Sequence, residues 1–267
     1  MAEKSFSKYI KRLEGSDKAE LRYYDLLALA GDRLDRLPFC LRIFLESCMR
    51  NCDDVEIGCE HVEALLDSSK KAEIRFKPAR TLFRDLTAIP SLVDFASARD
   101  TIESRGGDPT LFEPLCPADL VLDYSQRLDS GRSEAVAKRN EKIEFLRNKE
   151  LFQFLKWAGL AFKNVTMAIP PGLGVPPAIH FEYLNRIVIN EDGLIYPDSV
   201  LGTDPHISMM NGMGILAWGL RGIEIESILM GRSVAMPMPD VIGYKIYGKI
   251  GDLVTSTDIV LAITKVN

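Results

Sequence analysis

The chain has 267 residues, 46% of them hydrophobic, and a formal net charge of −5 from 33 Lys and Arg against 38 Asp and Glu. That supplies one large core or two smaller ones, and basic residues that are not massed into one run argue against nucleic acid as a partner, because phosphate binding depends on clustered cations. MAEKSFSKYIKRLEG is charged and lacks the apolar core of a secretory signal, Glu3, Glu14, Asp17 and Glu20 make a poor mitochondrial presequence, and no apolar run approaches the roughly 20 residues of a membrane span; the expectation is a cytoplasmic chain with no membrane contact.

In chain order, Lys18–Ala30 and Leu37–Asn51 read as helices, the second with apolar residues at helical spacing and Pro38 at its first turn. Glu60–Ser68 reads as a third. Cys48 and Cys52 lie one turn apart, which invites a metal reading. Beside Leu41, Phe44 and Leu45, however, they read better as small packed hydrophobes, and five cysteines without a signal peptide read as reduced thiols. Glu73–Phe76 alternates like a strand, and Thr81–Phe83 is a short apolar strand ending at Arg84-Asp85. Pro90 opens a helix to about Glu103, closed by Gly106-Gly107. Leu120–Leu122 is a buried strand ending at Asp123-Tyr124-Ser125, followed by a polar loop over 126–134. Ala135–Phe162 is one long helix or two abutting ones. Val165–Ile169 is a strand, and the proline-rich run from Pro170 to Pro177 forces an extended loop. Val200-Leu201 is a strand running into Gly202-Thr203-Asp204-Pro205-His206, and a helix opens near Ile223.

Strands alternating with helices imply a mostly parallel sheet covered on both faces. Ligands of such sheets sit beyond the carboxyl ends of the strands, which is where Asp204 and His206 stand, and a small anionic ligand would be handled there. Three apolar strands end in a carboxylate, Asp85, Asp123 and Asp204. These acids either line one crevice or cap the helices and turns that follow them. Gly212, Gly214 and Gly219 are spaced GxGxxxxG, which is not a dinucleotide fingerprint; glycines so placed read as points where a helix packs closely on a sheet.

YPDSVLGTDPHISMMNGMGILAWGLRGIEIESILMG resembles the segment of aconitases and iron regulatory proteins that carries an Asp-Ser-His substrate motif. The resemblance extends back through FKPARTLFRDLTAIPSLVDFASARD, GGDPTLFEPLCPADLVLDYS, RNKELFQFLKWAGLAF and IPPGLG, and forward through VIGYKIYGKIGDLVTSTDIVLAITK. It covers nearly everything after about Leu37 and is nearest to the cytosolic branch. It implies a three-layer α/β/α domain over 37–239, preceded by an N-terminal helical extension over 1–36. Over 240–267 it implies the first strand (Asp240–Ile250) and helix (Thr255–Val266) of the family's second domain.

Aconitases dehydrate and rehydrate a tricarboxylate bound to a four-iron four-sulfur cluster, with an iron Lewis acid, a base and carboxylate-clamping arginines. By the resemblance, the cluster cysteines, the serine base and most of the arginines lie beyond the position of Asn267. No cysteine here occupies a ligand position, and the expectation is a chain without a cofactor. The pocket residues that do fall inside the chain are altered. The family's substrate-contacting Gln matches Arg84, its Asp-His pair matches Asp123-Tyr124, a loop histidine aligns with Pro177, and Asp-Ser-His becomes Asp204-Pro205-His206. Tyr titrates near 10 and cannot replace His as a proton carrier near neutrality. Arg84, Asp123, Tyr124, Asp204, Pro205 and His206 are thus expected to form a degenerate substrate pocket with no catalytic residue and no metal. Arg84 is expected to pair with at least one of the converging acids and to neutralise the vacated site.

The reading that follows is a catalytically inactive aconitase-like protein kept for binding or assembly. Val241, Ile242, Ile246, Ile259, Val260, Leu261 and Ile263 need partners, which points to a protein partner or self-association through 240–267. One alternative is one part of a split hydro-lyase with a cysteine-bearing partner chain, as in the related isopropylmalate dehydratases. The other is an RNA-binding remnant of the iron regulatory proteins; RNA is disfavoured by the acidic balance.

Overall fold

The computed structural model describes residues 6–15, 20–67, 72–122, 134–169 and 181–266. Its centre is a five-stranded sheet of β4 (Arg80–Arg84), β5 (Ala118–Val121), β6 (Val165–Ile169), β9 (Ser199–Gly202) and β10 (Leu216–Gly219), in the spatial order β10-β9-β4-β5-β6. Every neighbouring pair is parallel. Alternation sends adjacent residues to opposite faces, as a strand's period of two requires. Leu82, Val121 and Val200 join one apolar cluster, while Phe83, Leu120 and Leu201 join the other. Both faces are therefore buried, and the strands read as continuous apolar runs.

The larger cluster lies under α4 (Ile89–Ser104), α6 (Lys149–Ala161) and α7 (Gly222–Leu229), which contribute Leu92, Phe95, Phe152, Leu155, Ala158, Ile225 and Leu229. Arg99 of α4 ties this layer together. Its guanidinium donates to the carbonyls of Phe112 and Ala161, pairs with Glu113 at 2.8 Å and stacks over Phe162. The smaller cluster is covered by 3-10 turns, Phe181–Leu184 and Pro205–Met213, through Leu184, Ile207 and Met210. The α/β layering expected from the sequence is present, with one face capped by turns among the described residues.

Two smaller sheets flank the centre. β3 (Glu73–Phe76) pairs antiparallel with β11 (Val234–Pro237), against which α2 (Phe39–Arg50) and α3 (Cys59–Leu66) pack. The other is a four-stranded sheet in the order β1 (Ile10–Arg12), β2 (Arg22–Tyr24), β8 (Leu194–Pro197), β7 (Val188–Glu191). The β7–β8 turn holds Asp192 and Gly193 at φ 50° and 83°. Two successive positive φ values match the twist of a tight hairpin.

Several expectations are corrected here. The helix expected over 18–30 is only α1 (Leu26–Ala30), because the Asp25 carboxylate accepts from the Ala28 N–H and caps it there. Just before the cap, Arg22–Tyr24 extends as β2, so the described part of 1–36 is not a helical extension but two strands, α1 and the 3-10 turns Ser7–Tyr9 and Gly31–Arg36. The strand expected over 240–250 does not form. Among the described residues no ladder partner lies beside it, and an isolated strand leaves its backbone groups unmatched. The helix that follows does form, as α8 (Ser256–Val266). The 135–162 stretch is two helices, α5 (Glu134–Arg147) and α6, meeting at Asn148. The loop expected over 126–134 falls almost wholly outside the described residues.

Candidate functional site

The chain order of the strands defines where a ligand would sit. From β4 the sheet grows one way through β5 and β6, then returns to β4's other side with β9 and β10. The strand order therefore reverses between β4 and β9, and in open parallel sheets the crevice beyond the carboxyl ends at such a switch point is the binding place. Arg84 is the last residue of β4 and Asp204 lies two residues beyond β9. They face each other across that crevice.

Arg84 Nη1 donates to Asp204 Oδ2 at 2.9 Å and lies 3.4 Å from His206 Nδ1. Asp204 Oδ1 accepts from the His206 backbone N–H at 2.7 Å and lies 2.7 Å from His206 Nδ1. Both carboxylate oxygens are thus engaged. Thr87 Oγ1 donates to the Arg84 carbonyl and meets Thr203 Oγ1 at 2.6 Å, closing the crevice on a second side. The Arg84 and Asp204 side chains are mostly buried, whereas His206 is exposed.

Asp204 is the cap that one reading of a strand-end acid expected, and it also meets Arg84 at the crevice. It N-caps the 3-10 turn Pro205–Met213, with Pro205 at the first position, and it pairs across the crevice. Burial alone would push its carboxyl up. The His206 backbone N–H, the His206 ring and the Arg84 guanidinium outweigh burial and hold it below the usual carboxylate range. A depressed folded-state value stabilises the fold above the unfolded-state carboxylate range, and that contribution is lost as pH falls through the lowered value.

Glycines set the approach of the walls. A methyl at Gly202 would overlap the Ile207 side chain and the Leu82 carbonyl, so the 3-10 turn sits on the sheet only because that position is bare. A Cβ at Gly219 would stand 3.0 Å from Pro205 Cα, so the end of β10 packs directly against the site loop. This bears out close packing at Gly219. Gly214 instead closes the turn at φ 82°, and Gly212 faces open space. Thr87 carries no signal in the sequence, and Gly202 and Thr203 stand out there only as part of the turn that follows Val200-Leu201.

Arg84, Pro205, Asp204 and His206 are brought together. Asp123, Tyr124 and Pro177 lie outside the described residues. Asp85 follows Arg84 directly, at φ 55°, opening the 3-10 turn Asp85–Ala88.

An iron–sulfur cluster, which the sequence reading did not expect on this chain, is held by several thiolates facing one void. The five cysteines do not fit one. Cys48 and Cys116 are buried, and burial pushes both thiols up to about 12. Cys48 donates to the Arg75 carbonyl as a packed core residue, as its helical setting suggested. No group of described residues brings three sulfurs together.

Away from the crevice, the sequence reading missed a charged cluster inside the sheet. Arg80 opens β4 fully buried, with its Nη1 on Asp119 of β5, its Nη2 on Asp198 at 2.7 Å and its Nε also on Asp198. It also donates to the Leu184 carbonyl, and Arg186 reaches the second Asp119 oxygen. Burial opposes the Arg80 charge, but the hydrogen bonds and charges of Asp198 and Asp119 outweigh it and hold the guanidinium cationic. This cluster lies in the amino-terminal half of the sheet and serves the fold. A family model of the aconitase family (aconitate hydratase) matches residues 56–267, well over half of the chain, and the chain belongs to that family.

Proposed function

We propose that this chain is an aconitase-like domain whose switch-point crevice has become a structural ion-pair network, and that it acts in binding or assembly without turnover of its own. The observation that carries this reading is the closed Arg84–Asp204–His206 arrangement. A cation standing at the end of β4 satisfies Asp204 from within the chain and occupies the place where a carboxylate ligand would seek a cation. Pro205 supplies neither a hydroxyl nor a backbone N–H to that place. In this reading the chain carries no iron–sulfur cluster of its own, since among the described residues at most two cysteine sulfurs share one ligand group. The reading places the protein in the cytoplasm, and no helix among the described residues is long and apolar enough to cross a membrane.

The contact surface in this reading is 240–266. Ile242, Ile246, Leu253, Val260 and Leu261 stand well exposed there, and apolar side chains gathered in one segment favour another protein surface. Light scattering should show association that weakens in Leu261→Asp.

The activity test uses purified protein after anaerobic iron–sulfur reconstitution, assayed for citrate–isocitrate interconversion. The expected result is no turnover above the reagent blank. Turnover that disappears in Asp204→Asn and His206→Ala would overturn the proposal.

A further inference from the structure

The loop between α2 and α3 gathers a second set of chemically capable side chains on the flank of the domain. Cys52, just past the end of α2, and Cys59, the first residue of α3, come together with Asp54, and the two sulfurs and a carboxylate oxygen all lie within 4.8 Å of one another. Cys52 Sγ is 3.6 Å from Asp54 Oδ1 and Cys59 Sγ is 3.8 Å from the same oxygen. With metal–sulfur bonds of about 2.3 Å and metal–oxygen bonds of about 2.0 Å, the edges of a tetrahedral zinc site are about 3.8 Å between sulfurs and about 3.5 Å between sulfur and oxygen. The observed spacings match those edges to within a few tenths of an ångström for the sulfur–oxygen pairs.

The loop holds this arrangement without a metal. Asp53 Oδ1 accepts from the backbone N–H groups of Val55, Glu56 and Ile57, at 3.0, 2.8 and 3.0 Å. Asp53 and Asp54 both donate their N–H groups to the Ile57 carbonyl. Asp54 takes φ 56°, a conformation in which Asp is among the few side chains found with any frequency. Glu56 anchors the loop to the start of β11 by accepting from the Ser233 N–H at 2.8 Å and pairing with Arg232. His61 is engaged elsewhere, its Nδ1 accepting from the Gly58 N–H at 3.2 Å. One side of the set is buried through Cys52 and the other is open through Cys59 and Asp54, so a metal would have both an apolar backing and an entry path.

We propose that Cys52, Asp54 and Cys59 form a site for a zinc-like divalent cation, with water in the fourth position, that clasps α2 to α3. Two thiolates and one carboxylate suit a borderline-soft tetrahedral ion and are poorly suited to calcium or magnesium, which take oxygen ligands. Both thiols give up their protons to solvent on binding, so affinity rises with pH.

The site is tested by titrating the reduced full chain with cobalt(II), whose tetrahedral thiolate complexes absorb strongly. The expected result is one cobalt per chain, with a sulfur-to-cobalt charge-transfer band, displaced by zinc and accompanied by a higher melting temperature. Cys59→Ser and Asp54→Asn should each weaken binding at least tenfold, and Cys40→Ser should leave it unchanged. Cys59 is exposed, so loss of binding in a variant with native circular dichroism reads on the ligand and not on folding. Absence of the charge-transfer band, or binding unchanged in Cys52→Ser/Cys59→Ser, would each overturn the proposal.

Discussion

Arg80→Met is expected to lower the unfolding free energy by about 3–5 kcal/mol, the scale for removing one partner of a buried ion pair. Methionine fills much of the arginine's volume, so a cavity contributes little. What remains is two carboxylates at nearly zero exposure, Asp119 and Asp198, which lose their shared cation. Arg186 still reaches Asp119, but through a side chain that is half exposed. Denaturant melts read the loss directly. Arg80→Met combined with Asp119→Asn and Asp198→Asn should recover part of the stability at neutral pH. A loss below about 1 kcal/mol for Arg80→Met alone would mean that the cluster is not what joins β4 to β5 and to the segment before β9.

Gly202→Ala is expected to cost about 3 kcal/mol, at the upper end of the overpacking range. The added methyl meets the Leu82 backbone carbonyl as well as Ile207. A flexible side chain can turn away from such a clash, but a strand backbone cannot. The strain therefore falls on the 3-10 turn Pro205–Met213, which carries His206 and is capped by Asp204. Gly212→Ala is the matched control, because that position faces open space and should change stability by less than about 0.5 kcal/mol. Equal effects at the two positions would refute the close approach described at Gly202.

Much of the sheet was legible because its strands are buried on both faces. Val165–Ile169 was readable to the residue, and the cores of β4, β5 and β9 were readable as apolar runs ending in Asp; in the flanking sheet Glu73–Phe76 was legible from its alternation instead. The same rule hid Arg80: a charge at the head of an apolar run looks like a boundary, and nothing local announces that Asp119 and Asp198 will meet it. β7 and β8 went unread although Asp192-Gly193 is a strong hairpin signal, because their flanks are only half-buried and alternate weakly. β10 is four residues bounded by glycine, too short for periodicity to speak. At the site, the charge argument anticipated Arg84 beside an acid. The strand order that makes β4 and β9 neighbours came only from the fold, and so did the glycine-dependent approach of the turn.

The most direct measurement is the melting temperature of the chain against citrate concentration, with Arg84→Gln alongside. Arg84 is held by the chain's own Asp204 and so is not offered to citrate, and the melting temperature should stay flat. Arg84→Gln should melt lower, losing roughly 1–3 kcal/mol near neutral pH, and should also gain no response to citrate. A saturable rise with citrate in the unmodified chain, through the linkage of binding to folding, would contradict the account by showing that the crevice still accepts a tricarboxylate.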